Sequence, residues 1–506
     1  MKKLMAVVVS ALGAAVAFTG SAATYYAKPD GADDAACTEL DPGSISSAIA
    51  KAQGGAGNEV LLADGDYDVS KVTSTQSGYT FKLSNNVTLR SMSGNRETCR
   101  IVGGGDNNKR AAFYSTGSTL KDLTVTNFSA TVQGCGIYAN GTTVITNCHF
   151  THIKTSTSAG FAYQNYGNKL TVYNSFVESC TSDSSYSICY AHGGTTAMYD
   201  TEFFDCHVQG SNAGTGVWDG KYTRCIFRNL STEGTGVNSS GAVEASATLD
   251  HCLISNCWTR TNTSTTPHGV FNKGTVNDCV IMDCPHIALG GLSYQANFNR
   301  CVFTNNSTYI TCNSGTLKNC LIVGNSWLSS YINVAGTLLG GATVENCTIV
   351  SNNFQAGNAW NKGGLVSASA KVYNTIFVGN AGKMMAANWT EVPLYYCLVS
   401  HKFLEDKSKT MTGEGNIVLD QGVDEIATTK FVGENDKGLP YYSLQRKSPA
   451  VDMGTNLTYT VESVDLAGNP RVVSKGMTLA KNPNAIVDIG CYENQEPAPG
   501  LILLLK

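Results

Sequence analysis

The chain has 506 residues, only 15% of them charged against about 25% in an average globular chain, and a formal net charge of −4 at neutral pH. A mildly acidic balance with no basic tract argues against nucleic acid and against an anionic membrane surface as partners. Hydrophobic residues reach 42% and glycines number 52, so the Asn-, Thr- and Ser-rich tracts predict a folded, turn-rich β protein rather than disorder.

In chain order, Met1-Lys2-Lys3, the apolar run LMAVVVSALGAAVAF and the small residues Ser21-Ala22-Ala23 have the three-part layout of a secretory signal, predicted over 1–23. The run falls short of the ~20 apolar residues that a spanning helix needs. Cleavage after Ala23 would remove two lysines and take the formal charge from −4 to −6. The expected location is therefore extracellular or on an outer-membrane surface. Residues 24–84 are predicted to form an N-terminal cap. Their sequence, beginning TYYAKPDGADDAAC, resembles the opening segment of right-handed β-helix proteins of the pectate lyase type. The resemblance implies a short helix near Ile45–Lys51 that closes the core.

From about 85 to 400 one phrase recurs about a dozen times, as in TVENCTIVSNN at 343–353. Aligning its cysteine gives a column of Leu123, Cys148, Ser175, Thr201, Cys225, Cys252, Cys279, Cys301, Cys320, Cys347, Thr375 and Cys397, at steps of 19 to 28 residues. Three places earlier stand apolar residues such as Ile145, Val172 and Leu317, and two places later others such as Phe150, Phe227 and Ile349. Directly before the column come Asn147, Asn174, Asn319, Asn346 and Asn374, with Asp200 and Asp278 as substitutes. Asn tolerates left-handed backbone, so two short strands flank a bend, and repeats of this kind bury their faces only against each other. The expectation is an all-β, single-stranded parallel β-helix solenoid of about a dozen coils, with this Asn column stacked as a ladder.

A second half-phrase, seen in GCGIYANG (134–141), SGAVEASA (240–247), GGLSYQAN (290–297) and GGLVSASA (363–370), accompanies Phe303-Thr304-Asn305-Asn306 and Phe377-Val378-Gly379-Asn380. Together the halves resemble the polymorphic outer membrane protein repeat over roughly 110–400. No intact Gly-Gly-Ala-Ile occurs, and Cys180, Cys206, Cys257 and Cys284 stand where Asn306, Asn325, Asn352 and Asn380 stand later. With the pectate lyase-like opening, the resemblance implies a right-handed helix. Residues 401–494 carry SPAVDMG, DLAGNPRV and VDIGCYE, which resemble the C-terminal block of anchored bacterial β-helix proteins. The tail 495–506 is read as a closing strand or the remnant of a sorting signal.

Eighteen cysteines in an exported chain invite a disulfide framework. Stacked column positions have parallel Cβ vectors that aim sulfurs poorly, so most are expected reduced, as small core residues. Cys180 with Cys206 and Cys257 with Cys284 are the pairs best suited to bridge. No C-x-x-C occurs, and no metal site is expected.

Carbohydrate cleavage on this fold needs an acid and a base, or Ca²⁺ with a basic residue. The motifs of β-helix polysaccharidases are missing from the repeats, and the one polar cluster is His149, His152, Glu178, Glu202, Asp205 and His207. These are the candidate catalytic residues, read more readily as surface polarity. One further column, Ile226, Leu253, Val280, Val302, Leu321, Thr348, Ile376 and Leu398, should face outward. Either it reflects β propensity, or the C-terminal block or a partner covers it. Two functions follow. The first is a non-catalytic surface protein serving adhesion, structure or carbohydrate binding, without cofactor. The second is a polysaccharide lyase or glycoside hydrolase, with Ca²⁺ entering only under the lyase form.

Overall fold

The computed structural model describes residues 22–494, less 74–75, 85, 108, 184–186, 210–216, 233–242, 245–246, 260–270, 272, 286–295, 308–314, 330–338, 357–363, 386–389, 434–439, 458–462, 472, 475–476 and 479–485. Residues 1–21 of the signal predicted over 1–23, and the tail 495–506, lie outside the described residues.

The chain winds as a right-handed parallel β-helix. A 16-stranded parallel sheet takes one strand from each coil, from Thr24–Ala27 through Thr143–Thr146 to Thr410–Thr412. A second long parallel sheet runs beside it, from Gly65–Asp68 through Phe176–Glu178 to Ile417–Val418. A third, of seven strands, stacks Tyr79–Leu83 up to Val243–Glu244. Residues 24–27 and 59–62 already belong to the first sheet, and the helix Ile45–Ala52 buries Ile45, Ala48, Ile49 and Ala52 against the open end. Ser44 starts that helix by accepting the N–H of Ser47 on its hydroxyl.

The repeat columns become stacks. Leu120, Ile145, Val172, Met198 and Tyr222 lie in register on successive coils of the first sheet, and Val125, Phe150, Val177, Phe203 and Phe227 on the second, all buried. The bend between them is left-handed backbone: φ is 51° at Asn147, 45° at Asn174, 50° at Asp200 and 53° at Asn319. A second left-handed column, unread in the sequence, bends the second sheet at Asn127, His152, Ser179, Asp205, Asn229 and Asn256, and pairing resumes beyond it.

Two expectations are corrected. The asparagine ladder is not the bend column, whose side chains pair only here and there, as Asn147 with Asp122 and Asn374 with Asn346. The continuous ladder is interior, at Asn306, Asn325, Asn352 and Asn380, where each Nδ2 donates to Oδ1 of the next at 2.8, 2.9 and 3.0 Å. An interior amide cannot fall back on water, so it pairs with its neighbours at every coil. Cys180, Cys206, Cys257 and Cys284 fill the same interior place upstream, and none is bridged: the 17 described cysteines are all buried free thiols. Their sulfurs donate instead to backbone carbonyls, as Cys180 to the carbonyl of Glu178 at 3.4 Å and Cys257 to that of Ser255 at 3.4 Å.

The C-terminal block packs on the outside of the second sheet. Leu419, Phe431, Tyr442, Leu444, Ile489 and Tyr492 join Leu321, Ile376 and Leu398 in a separate buried cluster. The outward stripe is therefore covered over its later half, from Leu321 to Leu398, while Ile226, Leu253 and Val280 stay half-exposed. The block's three motifs tie to each other. Asp465 accepts the N–H groups of Ala467 at 2.9 Å, Asn469 at 2.8 Å and Glu493 at 3.0 Å, and the buried Arg471 donates through Nη2 to the carbonyls of Asp488 and Gly490. Cys491 docks the block on the helix, its N–H reaching Oγ1 of Thr348 at 3.0 Å. Among the described residues no helix is long and apolar enough to cross a membrane.

Candidate functional site

The six polar candidates stand on the outer side of the second sheet or on its left-handed bend. His149, Phe176, Glu202 and Ile226 share one register column, and Thr151, Glu178, Phe204 and Arg228 the next. Sheet register therefore decides who meets whom. Nε2 of His149 lies 3.1 Å from Oε2 of Glu178, with the imidazole tilted against Phe176 at 4.9 Å. Burial lowers the pKa of His149 below its ordinary 6.5, against the pull of Glu97 and Glu178. Glu202 is engaged by Nη2 of Arg228, whose guanidinium lies 4.8 Å over the Phe204 ring.

Asp205 sits in the left-handed bend at φ 51°, where its Oδ1 accepts from Nδ2 of Asn229 at 2.6 Å and faces Nε2 of His207 at 3.2 Å. His207 completes the row through Nδ1, 2.5 Å from the hydroxyl of Ser231. His152, also left-handed at φ 53°, turns Nδ1 to the hydroxyl of Thr151 at 2.8 Å. The structure thus brings together His149 with Glu178 and Asp205 with His207. Among the described residues no hydrogen bond or ion pair joins these sets to each other or to Glu202.

Next to Glu202 a shallow groove is lined by Arg96, Phe176, Asp200, Arg224 and Ile226. Arg224 grips both oxygens of Asp200 at 2.7 Å, and this hydrogen-bonded pairing holds the Asp200 carboxyl below its usual range. The one group among the described residues with metal-like spacing is Asp250, His251 and Asp278, whose ligand atoms lie within 4.8 Å of one another. Arg300 already occupies both oxygens of Asp278 at 2.6 Å, so a cation there would have to displace it.

The third sheet carries a feature that the sequence reading missed. Tyr114, Tyr138, Tyr163 and Tyr190 stand in register on four successive coils. Their rings stack at centroid distances of 5.2, 5.1 and 5.4 Å, with planes 6°, 8° and 29° apart. An amide row runs alongside, because Asn140 donates Nδ2 to the hydroxyl of Tyr114 at 2.8 Å and Asn165 donates Nδ2 to Oδ1 of Asn140 at 2.7 Å. His192 continues that row, with Nδ1 at 3.0 Å from the hydroxyl of Tyr163. The signal was there as aromatic-x-polar triplets, Tyr138-Ala139-Asn140, Tyr163-Gln164-Asn165 and Tyr190-Ala191-His192. Unequal loops hid their alignment.

None of the curated protein sequences matches this chain significantly. Solved structures similar to it include a rhamnogalacturonan lyase (13% identity, TM-score 0.29, covering 70% of this chain and 87% of that one). Another is the pectate lyase Pel9A (15%, 0.31, 90% and 98%). A third is a PL6 family polysaccharide lyase from Pseudopedobacter saltans (12%, 0.30, 81% and 97%). Likeness at this level carries nothing about the site. Residues 111–269, which hold both the tyrosine stack and the polar candidates from His149 to Arg228, match the family model described as the right handed beta helix region.

Proposed function

We propose that the protein is an exported, non-catalytic β-helix rod of the bacterial cell surface or its surroundings, whose lateral faces bind carbohydrate. The observation that carries this reading is the pairing of the candidate carboxylates. Glu178 faces His149, Glu202 is held by Arg228, and Asp205 is held by Asn229 and His207. An inverting or retaining hydrolase needs two carboxyl groups facing one scissile bond, one of them protonated. Carboxylates tied to neighbouring coils do structural work at the sheet surface instead. The secretory layout of residues 1–23, the repeats resembling polymorphic outer membrane proteins and the C-terminal motifs resembling anchored β-helix proteins support the surface location. The half-exposed Leu253 and Val280 offer a place for a covering partner, next to Val302, which packs against the C-terminal cluster.

A second reading, cleavage by a polysaccharide lyase or glycoside hydrolase, is favoured by the groove that runs past Glu202 with Arg96 and Arg224 on its walls. The test is incubation of the purified protein with acidic and neutral polysaccharides, with and without Ca²⁺, following unsaturated products, reducing ends and binding. Binding without turnover supports the proposal. Turnover that disappears in Glu202→Gln or Asp205→Asn overturns it. Recovery from culture medium or cell surface of a chain beginning at Thr24 tests the export step.

A further inference from the structure

We infer that the tyrosine and amide rows on the third sheet form a track for a neutral, linear glycan running along the helix axis. The inference rests on the carbohydrate-binding reading above and adds the site and the ligand class.

The first argument is chemical. A sugar ring presents a weakly apolar C–H face and a rim of hydroxyls, and it is held by aromatic side chains together with groups that both donate and accept hydrogen bonds. The track offers phenol edges and hydroxyls along its length, since the stacked rings turn their faces to one another, together with the well-exposed Tyr166 ring beside them. Tyr114, Tyr138 and Tyr190 are half-exposed in one line, each with a phenol hydroxyl at its tip. Asn140, Asn165 and His192 run parallel to them, Asn140 bonded to Tyr114 and to Asn165, and His192 to Tyr163, so ring positions and amide orientations are set before a ligand arrives. Tyr166, 72% exposed, stands beside His192 at 6.1 Å in an edge-on arrangement and widens the platform.

The second argument is charge. The strands that carry the track, Ala111–Ser115, Ile137–Ala139, Ala162–Gln164 and Cys189–Ala191, contain no charged residue. A uronic acid polymer or a nucleic acid strand would need cations at every coil to replace its lost hydration and counterions, and the row of four tyrosines has a cation in register only before its first member, Lys82 beside Tyr114. A neutral polymer loses nothing by their absence.

The third argument is periodicity. Side chains of one type recur at the rise of one coil, about 4.8 Å, which gives the track a translational repeat. A repetitive ligand can present the same face to every coil, and weak contacts then add along its length. Three of the four rings reach the surface, Tyr163 between them being buried, so the repeat offered to a ligand is Tyr114, Tyr138 and Tyr190.

The experiment is affinity electrophoresis and pull-down on cellulose, xylan, chitin and α-1,3-glucan against pectate and alginate, using the full mature chain. Variants are Tyr138→Ala with Tyr190→Ala, Tyr138→Phe and Tyr166→Ala, each checked by circular dichroism and melting. Wild-type retention on at least one neutral glycan is expected, weakened at least tenfold by the double substitution and severalfold by Tyr166→Ala. Tyr138→Phe, which keeps the ring and loses the hydroxyl, should weaken it less than the double change. If the double variant does not fold, Tyr166→Ala alone decides, since that exposed ring can be removed without opening the coil. Wild-type binding that survives the folded ladder variants overturns the track and leaves carbohydrate binding standing. Binding only to pectate or alginate overturns the neutral class. Failure to bind any of the six overturns both.

Discussion

Asn325 gives two protons to one oxygen of Asn352: its side-chain Nδ2 reaches Oδ1 of Asn352 at 2.9 Å, and its backbone N–H reaches the same atom at 3.0 Å. Asn306 makes the same pair of bonds to Asn325, at 2.8 and 3.0 Å, and Asn352 to Asn380, both at 3.0 Å. Each amide also returns a proton to a carbonyl inside the turn, as Asn352 does to Ile322 at 2.9 Å and Val350 at 3.0 Å. The interior is thus polar along this line yet satisfied at every coil, so it adds orientation to a core that apolar side chains alone would leave free to slip.

Asn352→Ala should cost about 2 to 4 kcal/mol, because it strands the backbone N–H of Asn325 away from water and breaks the side-chain ladder on both sides, to Asn325 and to Asn380. Asn352→Cys should cost less, since Cys284 already fills this column and a stacked sulfur can take the preceding coil's backbone N–H, as Cys279 takes that of Cys252 at 3.2 Å. Urea unfolding of the two variants gives the comparison. Equal losses would mean that the ladder acts by volume alone.

The later half of the outward stripe should be far more sensitive than the earlier half. Leu321 is 6% exposed beneath the C-terminal block, and its replacement by Lys should cost at least about 2 kcal/mol from lost burial and a buried charge. Leu253, half-exposed two coils and more upstream of the covered region, should tolerate Lys within about 1 kcal/mol. Thermal melting separates the two, and limited proteolysis of Leu321→Lys should release the block first.

Acidification should favour the docked block. Burial raises the Asp488 carboxyl from 3.8 to about 6, despite its bonds to the N–H groups of Asp452 at 2.7 Å and Asn494 at 2.6 Å. A raised acid is protonated more readily in the folded state, so its contribution is complete below about pH 4 and is lost as pH rises through about 6. The stability gap between wild type and Asp488→Asn should therefore move toward the variant by on the order of 2 kcal/mol between pH 4 and pH 7. Melting temperatures of both proteins across that window measure it. A gap that stays constant, or moves the other way, would reject the assignment.

The buried thiols should be inert until the helix opens. Burial pushes Cys148, Cys284 and Cys397 up to about 12, so these three hold almost no thiolate at neutral pH, and neighbouring thiols lower Cys252 and Cys301 only in places that a reagent cannot reach in the closed helix. Native protein should take up little maleimide, and denatured protein should react at nearly all 18 cysteines. A denatured count short by two or more without reductant would reveal bridges.

The repeat was legible in the sequence because its causes are local. Alternating side-chain directions place Ile145 and Phe150 inside, and Asn tolerates the φ of about 50° that bends the chain at Asn147 and Asn174, whatever lies one coil away. Helix capping by Ser44 and burial of the cysteine column follow from the same short-range rules. What the coil meets next is another matter. The sequence aligns Asn306, Asn325, Asn352 and Asn380 in one column, but only the closed turns show that this column and not the bend carries the ladder, or, with coil lengths varying from 19 to 28 residues, that Tyr138, Tyr163 and Tyr190 line up. His149 and Glu178 read as separate polar residues because the coil register that brings them together is set by backbone hydrogen bonding between strands 27 residues apart. The docking of Ile489 and Cys491 on Ile376 and Thr348 joins segments more than 100 residues apart, and no local pattern encodes that contact. Strand direction and bend are properties of a few consecutive residues, whereas stacking partners belong to the assembled solenoid.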